Sequence, residues 1–78
     1  MRITLNGEPH DLDGTATVAT LLADLEIDAR VVAVEVNRVV IKRDRFASTP
    51  IPDRAEVEIV AFVGGGSRLV GRRRDAVQ

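Results

Sequence analysis

Apolar and polar residues alternate from the start of the chain. Ile3 and Leu5 are set against Arg2 and Thr4, the period-two pattern of a half-buried strand. Asn6-Gly7 follows, the strongest short hairpin signal, because both central residues of a type I′ turn need positive φ. Residues 8–12 then read as the returning strand, and Pro9 marks it as an edge. After the break at Asp13-Gly14, Thr15 or Thr17 offers an N-cap. Val18, Leu21, Leu22 and Leu25 recur at i, i+3, i+4 and i+7, which predicts a helix over 16–25 with one apolar stripe.

Residues 31–37 are β-branched and alternate again, with Val32, Val34 and Val36 on one face. A tight turn at Asn37-Arg38 leads into a short strand over 39–41, and Phe46 pins the irregular segment that follows. Pro50 and Pro52 hold an extended approach, and Asp53-Arg54 turns into the last strand, 55–63. There Val57, Ile59 and Ala61 share one face, while Glu56, Glu58, Val60 and Phe62 share the other. Val63 runs directly into Gly64-Gly65-Gly66. Beyond the glycines, 67–78 shows no sustained apolar period and reads as a disordered tail. The order predicts an α+β fold: a β-grasp, ubiquitin-like roll whose mixed four- to five-stranded sheet is crossed by one helix.

Composition narrows the chemistry. The 78 residues make one small domain, and no apolar run reaches the roughly 18 residues of a membrane span. With no cysteine and one histidine, a disulfide scaffold, a thiol nucleophile and a multi-histidine metal centre are excluded. Only two aromatics, Phe46 and Phe62, leave an aliphatic core and no stacking platform for single-stranded nucleic acid. The net charge of −1 hides an asymmetry. Residues 1–66 carry seven Lys/Arg against eleven Asp/Glu, whereas 67–78 carry four Arg against one Asp. An acidic body thus precedes a basic tail.

His10 has no second histidine or nucleophile near it in sequence and reads as a solvent-exposed strand residue. Glu8, Asp11, Asp13, Asp24, Glu26 and Asp28 lack metal-ligand spacing, and Ser48 and Ser67 have no base partner in view. No constellation for an autonomous enzyme emerges, and no metal site. Arg72-Arg73-Arg74 is weak ground for nucleic-acid binding on so acidic and aromatic-poor a body. The glycine triplet leads into no helix, unlike a phosphate loop. That leaves it as a plain linker or as a bare-backbone peptide able to thread a narrow channel.

These residues resemble a family. Ile3-Thr4-Leu5-Asn6-Gly7-Glu8, Thr17-Val18 with Leu21-Leu22, Val32-Ala33-Val34-Glu35-Val36-Asn37, Val40-Ile41-Lys42-Arg43 and the run from Val57 to Gly66 are similar, in order, to the sulfur carrier proteins of thiamine (thiazole) biosynthesis. The resemblance covers 1–66 as one carrier domain with a glycine arm at 64–66. It implies a cytoplasmic protein that binds no cofactor and whose terminal glycine carboxylate is adenylated by a ubiquitin-activating-type enzyme using ATP and Mg. A persulfide relay protein then converts the adenylate to a thiocarboxylate, and thiazole synthase accepts the sulfur. On this resemblance Gly66 is the reactive residue and Gly64 and Gly65 form its flexible arm. Val60, Phe62 and Val63 are candidates for partner contact; for Val60 and Phe62 a minor second core or a self-association patch is the competing reading.

Two departures matter. Asp53-Arg54-Ala55 replaces the family's Gly-Asp turn, and twelve residues follow Gly66, where the chemistry needs a free carboxyl. One explanation is a protease that removes 67–78. Alternatively the tail is a fusion remnant or addition, since Ser67-Arg68-Leu69-Val70-Gly71 faintly resembles the start of thiazole synthase, or this copy is an unprocessed β-grasp binding module. A carrier for molybdopterin or cysteine synthesis is the neighbouring alternative.

Overall fold

The computed structural model describes residues 1–63 and 68–70. Strands β1 (Arg2–Leu5) and β2 (Glu8–Asp11) form the opening hairpin. Helix α1 (Val18–Asp24) follows, then β3 (Val32–Val36), β4 (Val39–Ile41), β5 (Glu56–Val63) and β6 (Arg68–Val70). Short 3₁₀ turns at Ala29–Val31 and Arg43–Ser48 precede β3 and follow β4. The sheet runs β2-β1-β5-β3-β4, with β6 added to β5. Among the described strands only the β1–β5 pair is parallel, and the helix packs its buried residues against one face. This is the β-grasp arrangement, with five strands on the main path.

Both hairpins turn on two residues in left-handed conformation. Asn6 and Gly7 have φ of 50° and 85°, and Asn37 and Arg38 have 50° and 70°. These values suit type I′ turns, whose twist matches that of the flanking strands. β2 is an edge, so Pro9 interrupts no internal ladder.

The helix is shorter than its apolar period predicts. At its start, Ala16 accepts a hydrogen bond from Ile51 N–H and Thr17 bridges to Pro50, so these two residues are drawn into extended structure. Thr17 becomes the N-cap and shares a capping box with Thr20. At the far end Glu26, with φ of 59°, and Ile27 donate to the carbonyls of Ala23 and Leu22, closing a Schellman motif without glycine. Val31 likewise leaves the predicted third strand, because the Asp28 carboxylate caps the 3₁₀ turn that contains it.

The core is aliphatic. Val18, Leu21 and Leu22 of the helix meet Ile3, Val34, Val57 and Ile59 of the sheet. Phe46 and Ile51 close the side, and among the described residues no polar side chain is buried. Among the residues whose burial is described, every buried apolar one lies between Ile3 and Ile59. His10 pairs with Ile3 in the hairpin and is half-buried rather than solvent-exposed. In the segment read as a disordered tail, Arg68–Val70 forms β6, while 67 and 71–78 lie outside the described residues.

Asp28 gives the fold an acid-sensitive contact. Its carboxylate accepts from the Arg30 guanidinium at 2.8 and 3.0 Å and from Arg30 N–H at 2.9 Å. Those bonds lower its pKa from 3.8 to about 2. A depressed folded-state value means the contribution is complete above the unfolded pKa and is lost as pH falls toward 2. Urea midpoints measured from about pH 5 to about pH 2 should therefore fall more steeply for the parent chain than for Asp28→Asn.

Candidate functional site

The arm Gly64-Gly65-Gly66 lies outside the described residues, so its root, β5, carries the geometry. Two asparagines position that strand. Asn6, at the end of β1, accepts from Ile59 N–H through Oδ1 at 2.8 Å and donates Nδ2–H to the Ile59 carbonyl at 3.3 Å. Asn37, at the end of β3, accepts from Glu56 N–H at 2.9 Å and returns its own N–H to the Glu56 carbonyl at 2.7 Å. Each is a turn residue whose side chain acts as an extra rung of the ladder. The sequence marks both as turn signals and does not reveal that they grip β5, because their partners are 53 and 19 residues away.

On the face away from the helix, strand pairing sets Glu35 beside both Val40 and Glu58, and Ala33 beside Val60. Phe62 is 41% exposed and Val60 half-buried. Val63 ends the strand, paired in register with Arg68. Val39 and Val40 at the sheet edge are more exposed still. The apolar positions adjoin an acidic depression of ≈ 380 Å³ lined by Glu35, Arg38, Glu56 and Glu58. Arg38 stands 3.5 Å from Glu56 across exposed surface, an ion pair worth at most about 1 kcal/mol. Two carboxylates directly opposite each other across a ladder destabilise it, so this face spends stability on negative charge. The sequence reading found Val60 and Phe62 by alternation but missed the acidic depression, which needs β3 and β5 side by side.

Among the described residues no three or more His, Cys, Asp or Glu are grouped to hold a metal ion. None of their helices is long and apolar enough to cross a membrane. The described residues present an apolar and acidic outer face and a strand that leads to the glycines.

With this geometry in place, comparison with protein families matches residues 3–66 to the ThiS family. The sulfur carrier protein ThiS of Bacillus subtilis is 40% identical over 52 residues, covering 67% of this chain and 79% of its own. The thiamine biosynthesis protein ThiS of Geobacter metallireducens superposes with a TM-score of 0.75 at 38% identity, covering 83% of this chain and 99% of that one. A thiazole synthase of Paramagnetospirillum magneticum is 40% identical over 67 residues, 86% of this chain, yet the chain spans only 21% of that enzyme's length.

The asparagine grip is open to direct test. Asn6→Ala removes two hydrogen bonds and leaves alanine in a left-handed turn, so it should destabilise the chain by about 2–3 kcal/mol in urea unfolding. Asn6→Asp keeps the acceptor for Ile59 N–H and should cost less.

Proposed function

Since the chain belongs to the ThiS family of sulfur carriers in thiamine biosynthesis, we propose that Gly66, once its carboxylate is free, is the residue that carries the sulfur. The carrier is acted upon and is not an enzyme. The observation that carries the proposal is the coincidence of three limits: β5 ends at Val63, the glycines follow at once, and the family match ends at Gly66. A domain that delivers its last strand into bare backbone can place a terminus in a channel too narrow for side chains.

The chemistry proceeds in balanced steps. A protease hydrolyses the Gly66–Ser67 bond, giving a carboxylate and the free amine of Ser67 and releasing 67–78. In the cytoplasm an adenylating enzyme of the ubiquitin-activating type, using ATP and Mg, joins a carboxylate oxygen to the α-phosphorus, and pyrophosphate leaves. The terminal sulfur of a persulfide relay protein attacks the carbonyl carbon and expels AMP. A thiol then reduces the resulting acyl disulfide, leaving the thiocarboxylate on Gly66. Thiazole synthase accepts the sulfur. The similarity of this chain to a segment of two thiazole synthases, at 40% and 38% identity, supports that acceptor.

Docking falls to the outer face. There Val60 and Phe62, with Val63 at the end of the strand beside the arm, provide apolar contact, and Glu35, Glu56 and Glu58 favour a cationic patch on the adenylating partner. The face offers nothing for nucleic acid, which would meet like charge there.

Intact mass of the protein from its native host tests the first step. The expected species ends at Gly66 with one oxygen replaced by sulfur; a chain ending only at Gln78 under thiamine starvation contradicts the proposal. Gly66→Ala in the matured carrier should abolish thiocarboxylate formation. Phe62→Ala should weaken binding to the activating enzyme by about 1–3 kcal/mol. Because Phe62 is exposed, calorimetric unfolding should shift by no more than about 0.5 kcal/mol.

A further inference from the structure

The two sides of β5 are filled differently. Even-numbered residues turn their main-chain groups toward β3, as Glu56 does to Asn37. Odd-numbered residues turn toward β1. The Ala55 and Val57 carbonyls accept from Thr4 and Asn6, and the Asn6 side chain takes both main-chain groups of Ile59. β1 ends at Leu5, whereas β5 continues to Val63. By the same alternation Ala61 and Val63 present N–H and C=O to a side that β1 no longer covers. β6 occupies that place, antiparallel, with Ala61 opposite Val70 and Val63 opposite Arg68.

An apolar groove of ≈ 390 Å³ lies along the same edge on the helix side, lined by Leu5, Leu25, Ile27, Val31, Ile59 and Ala61 among others. A residue set opposite Ala61 on an added strand shares the face of Ala61, which is the groove side. The edge thus supplies main-chain hydrogen bonds and the groove selects an apolar side chain, the division of labour of strand addition.

We propose that the edge of β5 at Ala61 and Val63, with the groove beside it, is a strand-addition site for an extended segment of the activating enzyme, capped in the uncut chain by Arg68–Val70. This rests on the reading of Gly66 as the reactive residue. Val63 is three residues from Gly66, so at about 3.5 Å per residue the edge lies within about 10 Å of the carboxyl. A segment paired there belongs to the protein that takes hold of that carboxyl. The bond cut in maturation separates β5 from β6. Held within one chain, the cap has an effective concentration in the millimolar range; released, a three-residue strand at micromolar concentration leaves the edge.

Amide hydrogen exchange by NMR compares the full chain with residues 1–66, which contain every buried residue described and the whole family match. The Ala61 and Val63 amides should exchange at least about tenfold faster in 1–66, while Val60, facing β3, stays unchanged. Adding the activating enzyme with ATP should restore their protection. Equal exchange in the two proteins overturns the cap. Adenylation of 1–66 without renewed protection overturns strand addition and leaves the carrier reading standing; no adenylation of 1–66 overturns both. In 1–66, Val63→Pro removes the edge N–H beyond the last residue paired with β3 and should slow adenylation about tenfold. Val63→Ala trims the same docking side chain but keeps that N–H, so it should be adenylated at least about threefold faster than the proline variant. Equal rates for the proline and alanine variants overturn the proposal.

Discussion

The parallel pairing of β1 with β5 brings the first and last strands of the main sheet path together, and its main ladder is only two residue pairs long. The sheet depends on that contact, because β5 is the strand that joins the opening hairpin to β3 and β4. Asn6 lengthens the contact by donating and accepting with its side chain where β1 has run out of backbone. On the other side of β5 the Asn37 side chain accepts from Glu56 N–H while its backbone N–H donates to the Glu56 carbonyl. A left-handed turn costs a residue with a β-carbon roughly 1–2 kcal/mol. Asparagine tolerates that conformation best among non-glycine residues, which lets one residue serve both the turn and the ladder.

Holding β5 in this way divides one strand into a buried half and a more exposed one. The half near Val57 and Ile59 is buried against the helix, and Ile59 is the last buried apolar residue among those described. The half from Val60 onward carries exposed and half-buried apolar residues. The family's carrier role suits this division, since the terminus can be handed to another protein without disturbing the core. The same division explains why acidic residues are tolerated opposite one another at Glu35 and Glu58, on the face that the helix does not cover.

Much of the fold was legible from alternation and turn chemistry. Asn6-Gly7 and the valines at 32, 34 and 36 identified a hairpin and a half-buried strand, because strand periodicity and type I′ turns are local properties. The helix stripe was legible for the same reason, but its start was not. Residues 16 and 17 follow Pro50 and Ile51, a competition between local propensity and a distant partner. Glu26 closing the helix in place of glycine gave no signal either, since its left-handed conformation is held by the turn around it. On the outer face, Val60 and Phe62 could be found by counting alternate residues, whereas the acidic depression could not.

The sequence by itself determined the order of elements up to β5, the aliphatic core, and a long strand running into glycines. These follow from residue type and near-neighbour spacing, which act within a turn or a strand. Only the tertiary structure decided that Asn6 and Asn37 grip β5, that Glu35 faces Glu58, and that the far edge of β5 outlasts β1. Each of those is a relation between segments distant in the chain. It is set by register and strand length, which no local pattern encodes.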